Sequence, residues 1–340
     1  SPAYREAIEG ELATGAYDLF NGDFLRTALH TDVAERASIG VSHEVESFAA
    51  AATAPDSFAS PEAAAEWLAP FLRSLHLEAV VAPARFREYV TVTAPEAAFL
   101  ARVLPGRRIF VSPIPIDVDA LGVAAGLRQP APVPVFLFFG NFIHPPNRQA
   151  ARVLAEEVAP RVHEQLPASR FVIAGSDPPA ELLAREGRHG LHVAGFVPDL
   201  TELTATSTAV LAPIFQGAGM RVKLLEAMAA GCPVVSTSLG LSGIGGESGR
   251  TWLAAESVDE FVDAALRLAA DPALGERIGQ GGRSFVAERY GVAAQGQRRE
   301  RIWYAALAGR AAPEERVVLT GGAARASLLN RLWTRMTGGS

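Results

Sequence analysis

Between residues 130 and 290 the apolar positions of the chain follow two alternating habits. Continuous apolar runs, PVFLFFG (134–140), RFVIAGS (170–176), LHVAGFV (191–197), AVLAPIF (209–215) and CPVVSTS (232–238), read as strands buried on both faces of a sheet. Between them the apolar residues recur at helical spacing. NRQAARVLAEEVAPRVHEQL (147–166), with Asn147 as its expected cap, PAELLAREG (179–187), DLTELTATS (199–207) and the segment around 219–231 are the predicted crossover helices. SVDEFVDAALRLAAD and PALGERIGQGGRSFVAERY close the series as two more. Short strand–helix units of this kind build an α/β fold with a doubly wound parallel sheet. The first 115 residues carry a thinner version, with strands expected at YDLFNG (17–22), ASIGVS (37–42), EYVTVT (88–93) and RIFVSP (108–113).

Three stretches interrupt the pattern. Residues 51–62, AATAPDSFASPE, read as a loop, and RQPAPVPV (128–135) as a semi-rigid linker. The expected division is therefore a first domain over 1–127, a second over 128–296 and a helical tail over 297–340. In that tail ASLLNRLWTRM predicts an amphipathic helix with arginines on one side. Packing against the body of the protein is the first expectation for it, and peripheral contact with the inner face of a membrane the second.

The chain has 340 residues, 49% of them hydrophobic and 20% charged, enough to bury more than one core. Its net charge of -6 argues against a nucleic-acid partner. A single cysteine, Cys232, excludes an intramolecular disulfide framework and fits a reducing compartment, so the expected location is the cytoplasm. No apolar run reaches the ~20 residues of a membrane span. His144, His189 and His192 show no metal-ligand spacing with Cys232, and no metal or cofactor is expected. Asp117-x-Asp119 is read as part of the connection between domains.

Among the 31 residues that are lysine or arginine, Lys223 is the only lysine. It stands in GAGMRVKLLEAMAAG, beside Arg221 and at the start of a predicted helix. Positive side chains there oppose the helix dipole, a conflict that a bound anion would resolve. Gly217 and Gly219 let backbone amides approach a ligand, Arg221 and Lys223 suit a diphosphate, and Glu226, about 10 Å further along, suits ribose hydroxyls. Gly231 is the expected C-terminal cap. The competing reading is a surface helix with a Lys–Glu pair three residues apart.

Taken in order, FFGNFIHPPN, FVIAGSDPP, HVAGFVPDLTELTATSTAVLAPI, GAGMRVKLLEAMAAGCPVVST and LGLSGI resemble the donor-binding domain of GT-B glycosyltransferases, family 4 in particular. The resemblance covers nearly half the chain. It implies two Rossmann-like parallel-sheet domains facing a cleft, the N-terminal one incomplete here. It also implies sugar transfer, with retention and without a metal, from a UDP-, GDP-, ADP- or dTDP-linked donor to an acceptor of open class: glycan, lipid carrier, small molecule or protein. By that resemblance Arg221 and Lys223 bind the diphosphate and take a catalytic part, and Glu226 binds the ribose. The backbone at Gly195, Phe196 and Val197 receives the base, and the Gly140–Asn141 turn faces the sugar phosphate. GVSHEVESF (40–48) is similar to the family's strand end with a cleft histidine, which assigns His43 to the donor sugar, with a structural histidine as the competing reading. Glu44 and Glu46 share one face of an extended chain: two surface carboxylates are the first expectation for them, and acceptors of substrate hydroxyls the second. The family's first glutamate is replaced by Ala218, leaving sugar contacts to Gln216 or backbone, and the basic pair after the first strand of the domain is absent. A non-catalytic binding subunit, or an epimerase or hydrolase of the same fold, are the alternatives.

Overall fold

In the computed structural model, residues 2–308 are described apart from 31–32, 34–36, 53, 56–57, 127–130 and 218. They form two compact units, one from the described residues of Ser1–Pro113, Ala218–Met220 and Gly296–Ser340, the other from those of Ile114–Gly217 and Arg221–Gln295. The break falls between Pro113 and Ile114, ahead of the expected linker. The tail helix expected after 310 lies outside the described residues.

In the first unit, α1 (Pro2–Ala13) leads to β1 (Leu19–Asp23) and β2 (Ala37–Ser42). Then follow α2 (Glu46–Ala52), α3 (Pro61–His76), β3 (Glu88–Thr91), α4 (Ala94–Val103) and β4 (Arg108–Val111). Two of these helices start on sequence signals: the side chains of Ser60 and Thr93 accept from the amides of Ala63 and Glu96, each with a proline in the first turn. The four strands are parallel in the order β1-β2-β3-β4. That order advances in one direction, without the reversal of a doubly wound sheet. Side chains alternate between its two faces, as the pleat requires. Tyr89 and Ile109 join Leu25, Phe86, Phe99 and Leu100 in one core. Phe86 lies close over the paired Gly22 and Gly40, where a Cβ on either glycine would sit 2.7 Å from its ring. Ile39, Val41, Val90 and Phe110 form the other core, closed by Ile302 and Ala306 from the C-terminal helix.

The second unit begins with α5 (Val118–Gly126), where Asp117 Oδ1 accepts from the amide of Ala120 at 2.9 Å. That aspartate is thereby a helix-start residue. After β5 (Val135–Phe139) come α6 (Pro145–Val153) and, through one wider π-type turn, α7 (Ala159–Gln165). The series continues with β6 (Arg170–Ala174), α8 (Ala180–Leu183), β7 (Leu191–Gly195), α9 (Thr201–Thr206), β8 (Ala209–Ala212), α10 (Val222–Ala229) and β9 (Val234–Ser236). It ends with β10 (Leu253–Ala254), α11 (Val258–Ala270) and α12 (Pro272–Tyr290). α13 (Val292–Leu307) passes at Gly296 into the first unit. The parallel sheet has the order β10-β9-β8-β5-β6-β7, so the winding reverses between β5 and β8. In an open sheet that reversal parts the loops at the carboxyl ends of the two strands and leaves a crevice between them. The expected strands are all present, with β10 an addition.

Candidate functional site

Two loops lie at the reversal. The one after β5 runs from Gly140 to His144 and leads into α6, and the one after β8 carries Gln216, Gly217, Gly219 and Arg221 into α10. A Cβ on Gly217, whose φ is +100°, would come within 2.9 Å of Pro146 Cγ and 3.2 Å of an Arg221 guanidinium nitrogen, so the loop after β8 touches the first turn of α6 here. The strand ends beside them are equally bare. The Gly140 amide donates to Ala174 O at 3.0 Å and the Gly175 amide to Gly195 O at 2.6 Å. A Cβ on Gly175 would lie only 1.8 Å from Gly140 O. Backbone packs on backbone where β5, β6 and β7 end. Gly175 itself was not singled out in the sequence; the turn of chain polarity after the apolar run FVIA is the signal that could have found it.

Lys223 is the charged centre of this crevice. Arg221 occupies the position just before α10, without a side-chain capping bond, and Lys223 follows in the first turn, half-buried. Its Nζ donates to Asn147 Oδ1 at 2.6 Å and lies 4.2 Å from the centroid of the Phe138 ring. Burial, and then the neighbouring Arg221 cation, push its pKa down to about 7. Asn147 does not cap α6. Pro145 and Pro146 open that helix, and Asn147 sits one turn inside, its own amide donating to His144 O at 3.0 Å. Its side chain is therefore free to turn inward. Nδ2 donates to Asn141 O at 2.7 Å, while Asn141 Oδ1 accepts from the Ile143 amide at 2.9 Å.

The other expected residues are placed as follows. Glu226, three residues beyond Lys223, is half-buried, and desolvation raises its pKa. Among the described residues it forms no ion pair with Lys223, whose bond goes across the unit to Asn147. Phe196 is 72% exposed and follows directly on β7, with Val197 half-buried beside it. Gln216 lines a cavity between α6 and α8 together with Arg148, Arg152, Glu156 and Arg185. Gly219 lies in the short segment grouped with the first unit, and Ala218 is outside the described residues.

His43 also belongs to the first unit, directly after β2. Its Nε2 is 3.5 Å from Asp23 Oδ1 at the end of β1, and its ring centroid is 4.6 Å from that of Phe24. Phe24 is 61% exposed and holds a φ of +62°, uncommon for a bulky side chain. Glu44 is exposed. Glu46 opens α2, accepts two 3.0 Å bonds from Arg26 and takes a 2.9 Å bond from Ser74 Oγ. Glu78, 2% exposed, accepts from the amide and the hydroxyl of Ser47, and burial lifts its pKa to about 7.

A switch-point crevice with glycine-lined strand ends and two cations at a helix start is chemically suited to an anion. Residues 133–271 match the family described as Glycosyl transferases group 1. The chain carries a group 1 glycosyltransferase domain. Sucrose-phosphate synthase (tll1590) from Thermosynechococcus elongatus superposes with a TM-score of 0.65 at 18% identity, over 91% of this chain and 78% of that one. HepE (Alr3699) from Anabaena, in complex with UDP, gives a TM-score of 0.67 at 15% identity, over 90% and 82%. A glycosyltransferase from Rickettsia africae gives 0.62 at 12%, over 90% and 81%. At these identities the likeness is one of fold, and that fold is GT-B. No curated protein sequence matches the chain. Among the described residues no helix is long and apolar enough to cross a membrane.

Proposed function

We propose that this glycosyltransferase moves a sugar, with retention and without a metal, from a nucleotide-diphosphate donor held by the second unit. The reading is carried by the fixed position of the Lys223 amine beside Arg221, where the loop after β8 meets the first turn of α6. Arg221, Lys223 and the amides around Gly217 and Gly219 bind the diphosphate and stabilise the negative charge that grows on it as the glycosidic bond breaks. Glu226 accepts from the ribose hydroxyls. The backbone at Gly195, Phe196 and Val197 borders the base, and the Gly140–Asn141 turn borders the sugar phosphate. Gln216 or backbone takes over the sugar contacts of the missing family glutamate, and His43 is the first unit's candidate for catalysis. Since solved structures of HepE hold UDP and UDP-glucose, uridine is the first base to try.

A thermal-shift panel of UDP, GDP, ADP and dTDP tests the reading, because a ligand of the native state raises apparent stability by mass action. One of the four should do so, and the corresponding sugar nucleotide should be turned over in excess EDTA. Activity lost in chelator and restored by magnesium or manganese would overturn the metal-free mechanism. Binding without turnover in an acceptor screen would favour a non-catalytic subunit. Glu226→Gln should weaken the nucleotide by about 1–3 kcal/mol, the scale of a lost hydrogen bond to a charged group. Calorimetry showing an unchanged dissociation constant would remove Glu226 from the site.

A further inference from the structure

Asn147 has no part in the reading above, yet it is the residue through which the two halves of the crevice are joined. Its carboxamide spans from the Asn141 carbonyl, 2.7 Å away, to the Lys223 amine, 2.6 Å away. The first bond decides the second. With Nδ2 committed to a carbonyl, the amide cannot flip, and Oδ1 must face the lysine. The amine is closed in from below by the Phe138 ring and from the side by Gly140, where a Cβ would lie 3.1 Å from Nζ and 2.9 Å from Asn147 Nδ2. Of the three directions in which an ammonium can donate, one is taken by Asn147 and one face is covered by an aromatic ring.

We propose that Asn147 is a positioning residue for diphosphate binding, clamping the Lys223 amine between the loop after β5 and the start of α10. The proposal rests on the donor reading of the site. A lysine on four rotatable carbons gives up much of its side-chain freedom when it binds an anion. Here that freedom is lost on folding, through a neutral acceptor that leaves no carboxylate to compete with the phosphate. Aspartate at 147 would lose the donor to the Asn141 carbonyl but would pair its carboxylate with the amine and so compensate the charge meant for the phosphate. Alanine would leave the charge and release the clamp. The geometry also explains the two prolines ahead of Asn147: they start α6 without needing a side-chain cap, which leaves the carboxamide for the site.

Because Lys223 is the only lysine, an amine-reactive reagent can modify Lys223 and the chain's α-amine alone, the latter serving as internal control. In nucleotide-free protein at pH 8, Asn147→Asp should slow labelling at Lys223 at least tenfold relative to the α-amine. An unchanged rate would overturn the clamp. Asn147→Ala should raise the dissociation constant of the best-binding nucleoside diphosphate about tenfold, leave that of the matching nucleoside unchanged and leave the melting temperature close to wild type. Equal weakening of diphosphate and nucleoside, or no weakening, would overturn the positioning role. In wild type, inorganic pyrophosphate and the nucleoside diphosphate should both protect Lys223 from labelling. If neither protects it while Asn147→Asp still slows labelling, the donor reading fails and the positioning role with it, leaving a structural contact.

Discussion

The carboxyl ends of the two sheets are furnished in opposite ways. In the second unit β5, β6 and β7 run into Gly140, Gly175 and Gly195, and the loop from β8 brings further glycines, so peptide groups line the crevice and two side-chain cations, Arg221 and Lys223, supply its charge. In the first unit β1 and β2 end in side chains: Asp23, Phe24, His43 and Glu44, with Glu78 buried behind them. Bare backbone lets a ligand come close to the strand ends, and the two cations there suit a phosphate. A rim of carboxylates, an imidazole and an aromatic face suits hydroxyls and apolar ring faces, where each contact is specific to a side chain and open to variation. One end is constrained by sterics and the other by chemistry.

The contrast predicts that the second unit fails by collision and the first by electrostatics. Gly175→Ala should have the largest effect. Its Cβ would fall 1.8 Å from Gly140 O at a φ of +152°, so β5 and β6 must part at the floor of the crevice. A loss of about 3 kcal/mol or more in unfolding free energy is expected, together with nucleotide binding. Denaturation and calorimetry showing wild-type behaviour would mean that the glycine floor is not under steric constraint.

Next in size is the pH dependence of donor binding. In the empty protein Lys223 loses its proton through about pH 7, and a bound diphosphate holds that proton to higher pH. Phe138, Gly140 and Asn147 around it carry no charge, and Arg221 is the cation acting on it. Below pH 7 both states are protonated and affinity is insensitive to this group. Above it, binding takes up a proton, and affinity should fall by up to about tenfold per pH unit. Calorimetry from pH 6.5 to 9 with Lys223→Arg as reference tests this, since arginine keeps its charge and should abolish the slope even if it binds more weakly. A parallel slope in that variant would sink the assignment.

A smaller effect belongs to the first unit. Glu78 titrates near pH 7 in the folded protein, well above its ordinary value of 4.5. Its contribution to stability is complete below pH 4.5 and is lost as pH rises through 7, because the native state must then hold a buried charge. Glutamine keeps both bonds with Ser47 without the charge. Glu78→Gln should match wild type at pH 5 and exceed it by about 1–2 kcal/mol at pH 8. Equal denaturation midpoints at both pH values would show that water reaches the carboxylate.

The smallest expected change is at the rim. Phe24 is exposed and left-handed in backbone, so Phe24→Asn should relieve strain and stabilise the first unit by about 0.5–1 kcal/mol, measured by urea denaturation. Destabilisation instead would mean that the ring's contact with His43 outweighs the strain of its backbone.

The sequence by itself determined the strands, their helical returns and the parallel class of both sheets, because continuous apolar runs and helical spacing are local properties of the chain. It also marked the segment from Gly217 to Glu226, through the glycines and a single lysine among arginines. It misplaced Asn147 as a helix cap and left Glu46 undecided between a surface carboxylate and a ligand contact, and for the same reason. A cap and an inward-facing carboxamide are identical in sequence, and so are a free glutamate and one bound to Arg26 and Ser74. Which of the two occurs is decided by residues far along the chain: Lys223 lies 76 positions from Asn147, and Ser74 lies 28 from Glu46. Tertiary structure alone decided these partners, the winding of the first sheet without reversal, and the covering of its second face by α13. Each depends on which distant surfaces meet, and an apolar pattern records only that a face must be buried, not against what.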